Sequence, residues 1–190
     1  MFYNLKLFFR NISSFKFRYW WLVIIAMLIH RLPFLLFIPS EAVIVKQVAM
    51  IAAYIILTFA LLKNLKNFGI YLILAGVLLN FAAIAFNAGL MPVSPGALSS
   101  ANLSSIGAVV GGVLPKGSGI LLTIQQTKLW WLTDIIPVRQ MRLVCSIGDL
   151  IMLVGIIVLG IQIIYKAYPR TNSREFKLVI DKASMERGKQ

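Results

Sequence analysis

Arg31, Asn80 and Asp149 are a cation, an amide and a carboxylate, each set inside a long apolar run. By helical rise they fall about 10, 12 and 6 Å below the same end of their segments. An ionised side chain at the centre of a bilayer costs about 2.5–3.5 kcal/mol on insertion scales, so such groups turn inward and seek partners. The expectation is an Arg31–Asp149 ion pair with Asn80 beside it. In its plainer form the pair only sets helix register, or Arg31 snorkels to the headgroups. In its sharper form the three line a ligand or ion path, and His30 adds one titratable ring.

Other chemistry has little support. Cys145 and His30 are the only residues of their types, which excludes an internal disulfide, a CxxC redox pair and a multi-His/Cys metal site. Neither a metal nor a cofactor is expected, and Cys145 reads as a small packing residue. The string Gly112-Val-Leu-Pro-Lys116-Gly-Ser-Gly places Lys before Gly, whereas a phosphate loop needs Gly-Lys-Ser/Thr opening a helix. No carboxylate pair is spaced for glycoside hydrolysis, and no Ser-His-Asp arrangement is apparent.

The elements that must position these residues follow from composition. Of 190 residues 59% are apolar and 13% charged, and the mean hydropathy is +0.86. A water-soluble globular domain needs more polar surface than that. Four apolar runs suit spans of roughly 20 residues, at about 20–38, 43–62, 68–88 and 145–165. The predicted fold is all-α: a polytopic membrane helix bundle of about four transmembrane helices with interfacial or re-entrant segments. A basic, Phe-rich amphipathic arm (1–19) precedes the bundle (20–168), and a charged tail (169–190) follows it. The connection 89–144 is rich in Ser, Gly and Pro. Within it, 106–124 reads as a loop or a re-entrant segment, and the Trp130–Trp131 stretch suits a membrane interface.

Gly76, Asn80, Ala83 and Asn87 share one face of the third segment, and Cys145, Gly148, Met152 and Gly155 one face of the fourth. Small faces allow close helix approach in lipid. They are expected to pack together and carry Asn80 and Asn87 towards Asp149. Thirteen Lys and Arg fall on the side of the two termini against five, Lys46 among them, on the other. Both termini are therefore expected in the cytoplasm. The formal charge of +13 is assigned to anionic lipids at the cytoplasmic face, not to nucleic acid.

Three ordered strings carry a resemblance: Asn87-Ala-Gly89-Leu-Met91-Pro92-Val93, Thr127-Lys-Leu-Trp-Trp-Leu-Thr-Asp134-Ile-Ile-Pro137 and Ser146-Ile-Gly148-Asp149. Together they resemble a family of uncharacterised bacterial integral membrane proteins, a domain of unknown function with N-x-G-x-M-P-V, T-x-L-x-x-L-x-D-x-x-P and S-I-G-D motifs. The likeness extends from about Trp20 to Gly160. It implies a small multi-span protein of the bacterial cytoplasmic membrane and no established activity. The basic arm stands where such members begin with a further apolar segment, and Arg31 lies in none of the motifs.

Within the motifs, Gly89 can supply a positive-φ exit from the third helix and Pro92 stops its continuation. Ser146 can cap the fourth helix, whose N-terminal dipole favours Asp149. Asp134, near Arg139 and Arg142 in sequence, can tie the Trp segment over the bundle. The leading expectation is a non-enzymatic membrane component binding a lipid, a small molecule or a membrane-protein partner through Arg31, Asn80, Asn87, Asp134 and Asp149. The alternatives are a membrane subunit of a small-molecule transporter, and a membrane enzyme acting on lipid or polyprenyl headgroups with Asp134 and Asp149 as its acids.

Overall fold

The computed structural model describes residues 16–35, 42–103, 110–114 and 119–167, leaving aside the side chains of 32–35 and 165–167. Most of the basic arm, the charged tail and parts of 106–124 lie outside the described residues. Residues Phe17–Leu159 form one compact unit, and the architecture below is that of this unit.

The chain is mostly helical. Helix α1 is Trp20–Leu35, α2 Val43–Leu62, α3 Phe68–Phe86, the short α4 Pro95–Ser100, and α5 Ile147–Ala167. Among the described residues three stretches are long and apolar enough to cross a membrane, Val43–Leu62, Phe68–Phe86 and Ile147–Ile164, and α1 adds a shorter apolar stretch, Trp20–Arg31. The third run stops at Phe86, two residues before the expected end. The last begins at Ile147 because Leu143–Cys145 forms a strand and Ser146 caps the helix. Lys46, counted above on the side away from the termini, lies in the first turn of α2 with its side chain buried.

The connection from 89 to 146 adds short strands to the helices. Strands β1 (Met91–Val93) and β2 (Gly119–Leu121) pair in parallel, with Pro92 opposite Ile120, and β3 (Ile136–Val138) and β4 (Leu143–Cys145) pair antiparallel, with Pro137 opposite Val144. Isolated bridges join Val93 to Asp134 and Val113 to Ile120. Each strand has only three residues, below the length at which alternating hydrophobicity is visible. The described part of 106–124 is therefore turn, strand and a single 3-10 turn, Ile124–Gln126.

These strands make a cap with two small cores. Met91 and Leu132 pack with Met50 of α2 and with Ala83 and Ile84 of α3, seating the cap on the helices. Val93, Leu98 and Leu121 form the second core within the cap. Gly89 has φ +75°, and its N–H bonds the Ile84 carbonyl at 2.9 Å, closing α3 with a left-handed turn. A Cβ there would also meet Cβ of Gln47 at 3.1 Å.

Helices α3 and α5 meet glycine on glycine. Gly69 and Gly76 on one, and Gly148 and Gly155 on the other, are each two helical turns apart. A Cβ on Gly155 would lie 2.7 Å from the Ile73 nitrogen and 2.9 Å from the Gly69 carbonyl, and one on Gly148 would strike the Asn80 amide and the Gly76 carbonyl. Backbone approach replaces the hydrophobic drive that lipid cannot supply. Gly148→Val should therefore lower unfolding stability in detergent by about 1–3 kcal/mol through overpacking. Gly96→Ala, where a Cβ meets only Ser94 Oγ at 3.8 Å, should stay within about 0.5 kcal/mol; thermal melts of both variants check the contrast.

Candidate functional site

Ser146 is the N-cap of α5 and Asp149 its N3 residue, so the S-x-x-D spacing builds a reciprocal capping box. The Asp149 N–H donates to Ser146 Oγ at 3.0 Å, and the Ser146 N–H donates to Asp149 Oδ2 at 3.0 Å. Asn80, brought close by the Gly76–Gly148 approach, completes the group. Its Nδ2 donates to Asp149 Oδ1 at 2.8 Å and its Oδ1 accepts from the Ser146 hydroxyl at 2.8 Å. Ser146 and Asn80 are fully buried. Each polar group in this triangle has its partner, as a low-dielectric setting demands.

Asn87 performs a different task just past the end of α3. Its Nδ2 donates to the Ala83 carbonyl at 2.7 Å and the Lys128 carbonyl at 2.8 Å, while its Oδ1 accepts from the Lys128 N–H at 2.9 Å. One amide thereby holds both polar groups of a single residue's backbone. It sets the entry to the Trp130–Leu132 turn, where Leu129 takes a left-handed φ of 51°. Asn64, which the sequence reading missed, does the same at the end of α2: it bonds the Ala60 carbonyl at 2.7 Å and both the N–H and carbonyl of Arg18 at 2.7 Å. The available signal was an Asn two residues past a helix end.

Asp134 sits beside β1, its N–H donating to the Pro92 carbonyl and its carbonyl accepting from the Ser94 N–H, both at 3.0 Å. Met91, Pro92 and Val93 are buried. Arg139 and Arg142 do not reach Asp134. Arg139 Nε donates to the Ser100 carbonyl at 3.1 Å and Arg142 Nη2 to the Asn102 carbonyl at 3.2 Å, at the C-terminal end of α4, where partial negative charge collects.

These elements surround a cavity of about 320 Å³, lined among others by His30 and Arg31, Tyr54, Asn80, Asp134 and Asp149. Its size lies in the range of small-molecule sites. Arg31 and Asp149 thus face one space, but no ion pair joins them among the described residues, because the Asp149 oxygens are held by Asn80 and the cap. Tyr54, its ring stacked on Phe81 at 6.2 Å, is a lining residue that the sequence reading missed. A tyrosine within an apolar run was its signal, since a phenolic hydroxyl needs a polar neighbour there.

Burial, and then the negative charge of Asp149, push the Asp134 carboxyl up to about 8. The same order of causes, with Asp149 and Asp134 both contributing, raises the Cys145 thiol, which keeps it unreactive. Among the described residues no cluster of three or more His, Cys, Asp or Glu suits a metal ion.

Residues 14–161 match a family of unknown function, DUF5317. The chain belongs to that family. All the residues of the cavity and both asparagine clamps fall within the DUF5317 region. No curated protein and no solved structure matches the chain.

Two outcomes are expected of this member of DUF5317. Asn80→Leu strands the Ser146 hydroxyl and one Asp149 oxygen and should cost about 1–3 kcal/mol for each buried group left unpaired, measured by thermal unfolding in detergent. Between about pH 4 and 8 the folded chain keeps a proton on Asp134 that the unfolded chain has released, so this group's contribution falls as pH rises through that window. Melting temperature should accordingly decline by several degrees from pH 5 to 9, and Asp134→Asn should flatten the decline.

Proposed function

We propose that this chain is a non-enzymatic integral membrane protein that binds a lipid or small molecule in the cavity closed by Asp134, Asp149 and Asn80. The observation that carries the reading is the convergence of two carboxylates, an amide, a guanidinium and an imidazole on one space at the capped end of an apolar bundle. Polar groups at such a position ordinarily line ligand or ion paths. In this reading α1 is a fourth span, since its 16 residues rise about 24 Å. The cap faces outward and both termini face the cytoplasm of a bacterial inner membrane, with the basic arm and tail on anionic lipid. The support for that orientation is the excess of Lys and Arg on the side of the termini.

A specific observation also favours a membrane enzyme acting on lipid headgroups. A carboxyl pushed up to about 8 by burial and by a second carboxylate facing the same space is an arrangement suited to acid–base chemistry.

Native mass spectrometry of the gently solubilised full chain tests the binding reading. A retained small molecule or lipid is expected, and adding it back to stripped protein should raise the melting temperature with concentration, as linkage requires. An empty protein that no lipid extract stabilises overturns it. Consumption of the added compound by wild type, with Asp134→Asn binding it unchanged, makes the protein an enzyme instead.

A further inference from the structure

The polar cavity has an apolar neighbour. A second space of about 220 Å³, lined by Ala26, Met27, Ala53, Leu57 and Met152, shares His30, Arg31 and Tyr54 with the first. The two therefore adjoin across those three side chains, the second otherwise lined by hydrocarbon and the first carrying both carboxylates and the Asn80 amide among its apolar walls. Within the polar space the charges are of both signs. Arg31 and His30 come from α1, whereas Asp149 begins α5 and Asp134 lies in the cap.

The two carboxylates differ in what they have left to offer. Both oxygens of Asp149 already accept hydrogen bonds. The carboxylate of Asp134 accepts none from the described residues, and none of their cations pairs with it. Among the described residues nothing competes with a ligand's donor for Asp134.

We propose, resting on the binding function above, that the two spaces together hold a phospholipid with a primary-ammonium head of the phosphoethanolamine class. Its ammonium is placed on Asp134 and its phosphate on Arg31, with the start of an acyl chain among Met27, Leu57 and Met152. An ammonium supplies three N–H donors and the positive charge that the carboxylate pair lacks, and it draws Asp134 into its ionised form. Arginine matches phosphate oxygens in a fixed fork. A hydrocarbon-lined space beside a charged one favours an amphiphile over a wholly soluble solute.

The test uses full-length protein in a non-ionic detergent, titrated by native mass spectrometry with four probes. These are phosphatidylethanolamine, phosphatidylcholine and phosphatidylglycerol with the same acyl chains, and water-soluble phosphoethanolamine. Phosphatidylethanolamine should bind at least about tenfold more tightly than each of the others, a difference of about 1.4 kcal/mol. Asp134→Asn should reduce it to the level of phosphatidylglycerol, and Arg31→Gln should weaken both lipids. Leu57→Trp, which fills the apolar space, should weaken the lipids and leave soluble phosphoethanolamine unchanged.

Melting temperatures of all three variants establish that they fold. Were Asp134→Asn to unfold, the Arg31 and Leu57 variants would still decide the matter. Equal binding of phosphatidylglycerol, or an ethanolamine preference that survives Asp134→Asn, overturns the proposal. So does a soluble head group bound as tightly as the lipid. If none of the four probes binds but another compound stabilises the protein, this inference falls and the binding function stands; if nothing stabilises it, both fall.

Discussion

The close passage of Gly76 against Gly148 is the contact on which the rest of this structure depends. Without side chains at those two positions, α3 and α5 come near enough for the Asn80 amide to reach across to the cap of α5. That reach satisfies Ser146 and Asp149 in a place where water is scarce, and so permits a carboxylate to stand at the start of an apolar helix. The orientation of Asp149 follows, and with it the negative charge that adds to burial in pushing the Asp134 carboxyl up.

Much of this was legible in the residues. Segment 43–62 matches helix α2 at both ends. The juxtaposition of Asn80 and Asp149 followed from their common place in the same half of the bilayer and from small residues spaced at three and four, which is a helical signal independent of neighbours. Ser146 as a cap followed from a hydroxyl side chain at the start of the fourth apolar segment. What was illegible has a common physical origin in chain length. Strands of three residues carry no period, so β1 to β4 were hidden in a stretch that composition alone marks as loop. A parallel pairing of Met91–Val93 with Gly119–Leu121 joins residues 28 apart, and nothing local announces it.

The charges were harder still. Opposite signs at similar depth suggested that Arg31 and Asp149 should meet. Asp149 instead finds its partners in its own helix cap and in Asn80, which demand less desolvation than burying a guanidinium beside it. Arg139 and Arg142 similarly go to carbonyls at the end of α4, and among the described residues no cation pairs with Asp134. A cavity bordered by charges of both signs, with one carboxylate uncommitted, is what remains when local hydrogen bonding outcompetes long-range ion pairing.

Asn64 and Asn87 share a grip whose selectivity is unusual for a side-chain contact. Each holds the backbone N–H and carbonyl of one residue, Arg18 and Lys128 respectively, and neither touches those residues through their side chains in these bonds. The grip is therefore blind to which amino acid it holds, proline excepted, for want of an N–H. Positions 18 and 128 are left free to vary in charge and size, while the asparagines are not interchangeable even with aspartate, which would set an oxygen against two carbonyls. A chain can thus retune the polarity of its surface at both ends of the α2–α3 pair without disturbing how those ends are tied.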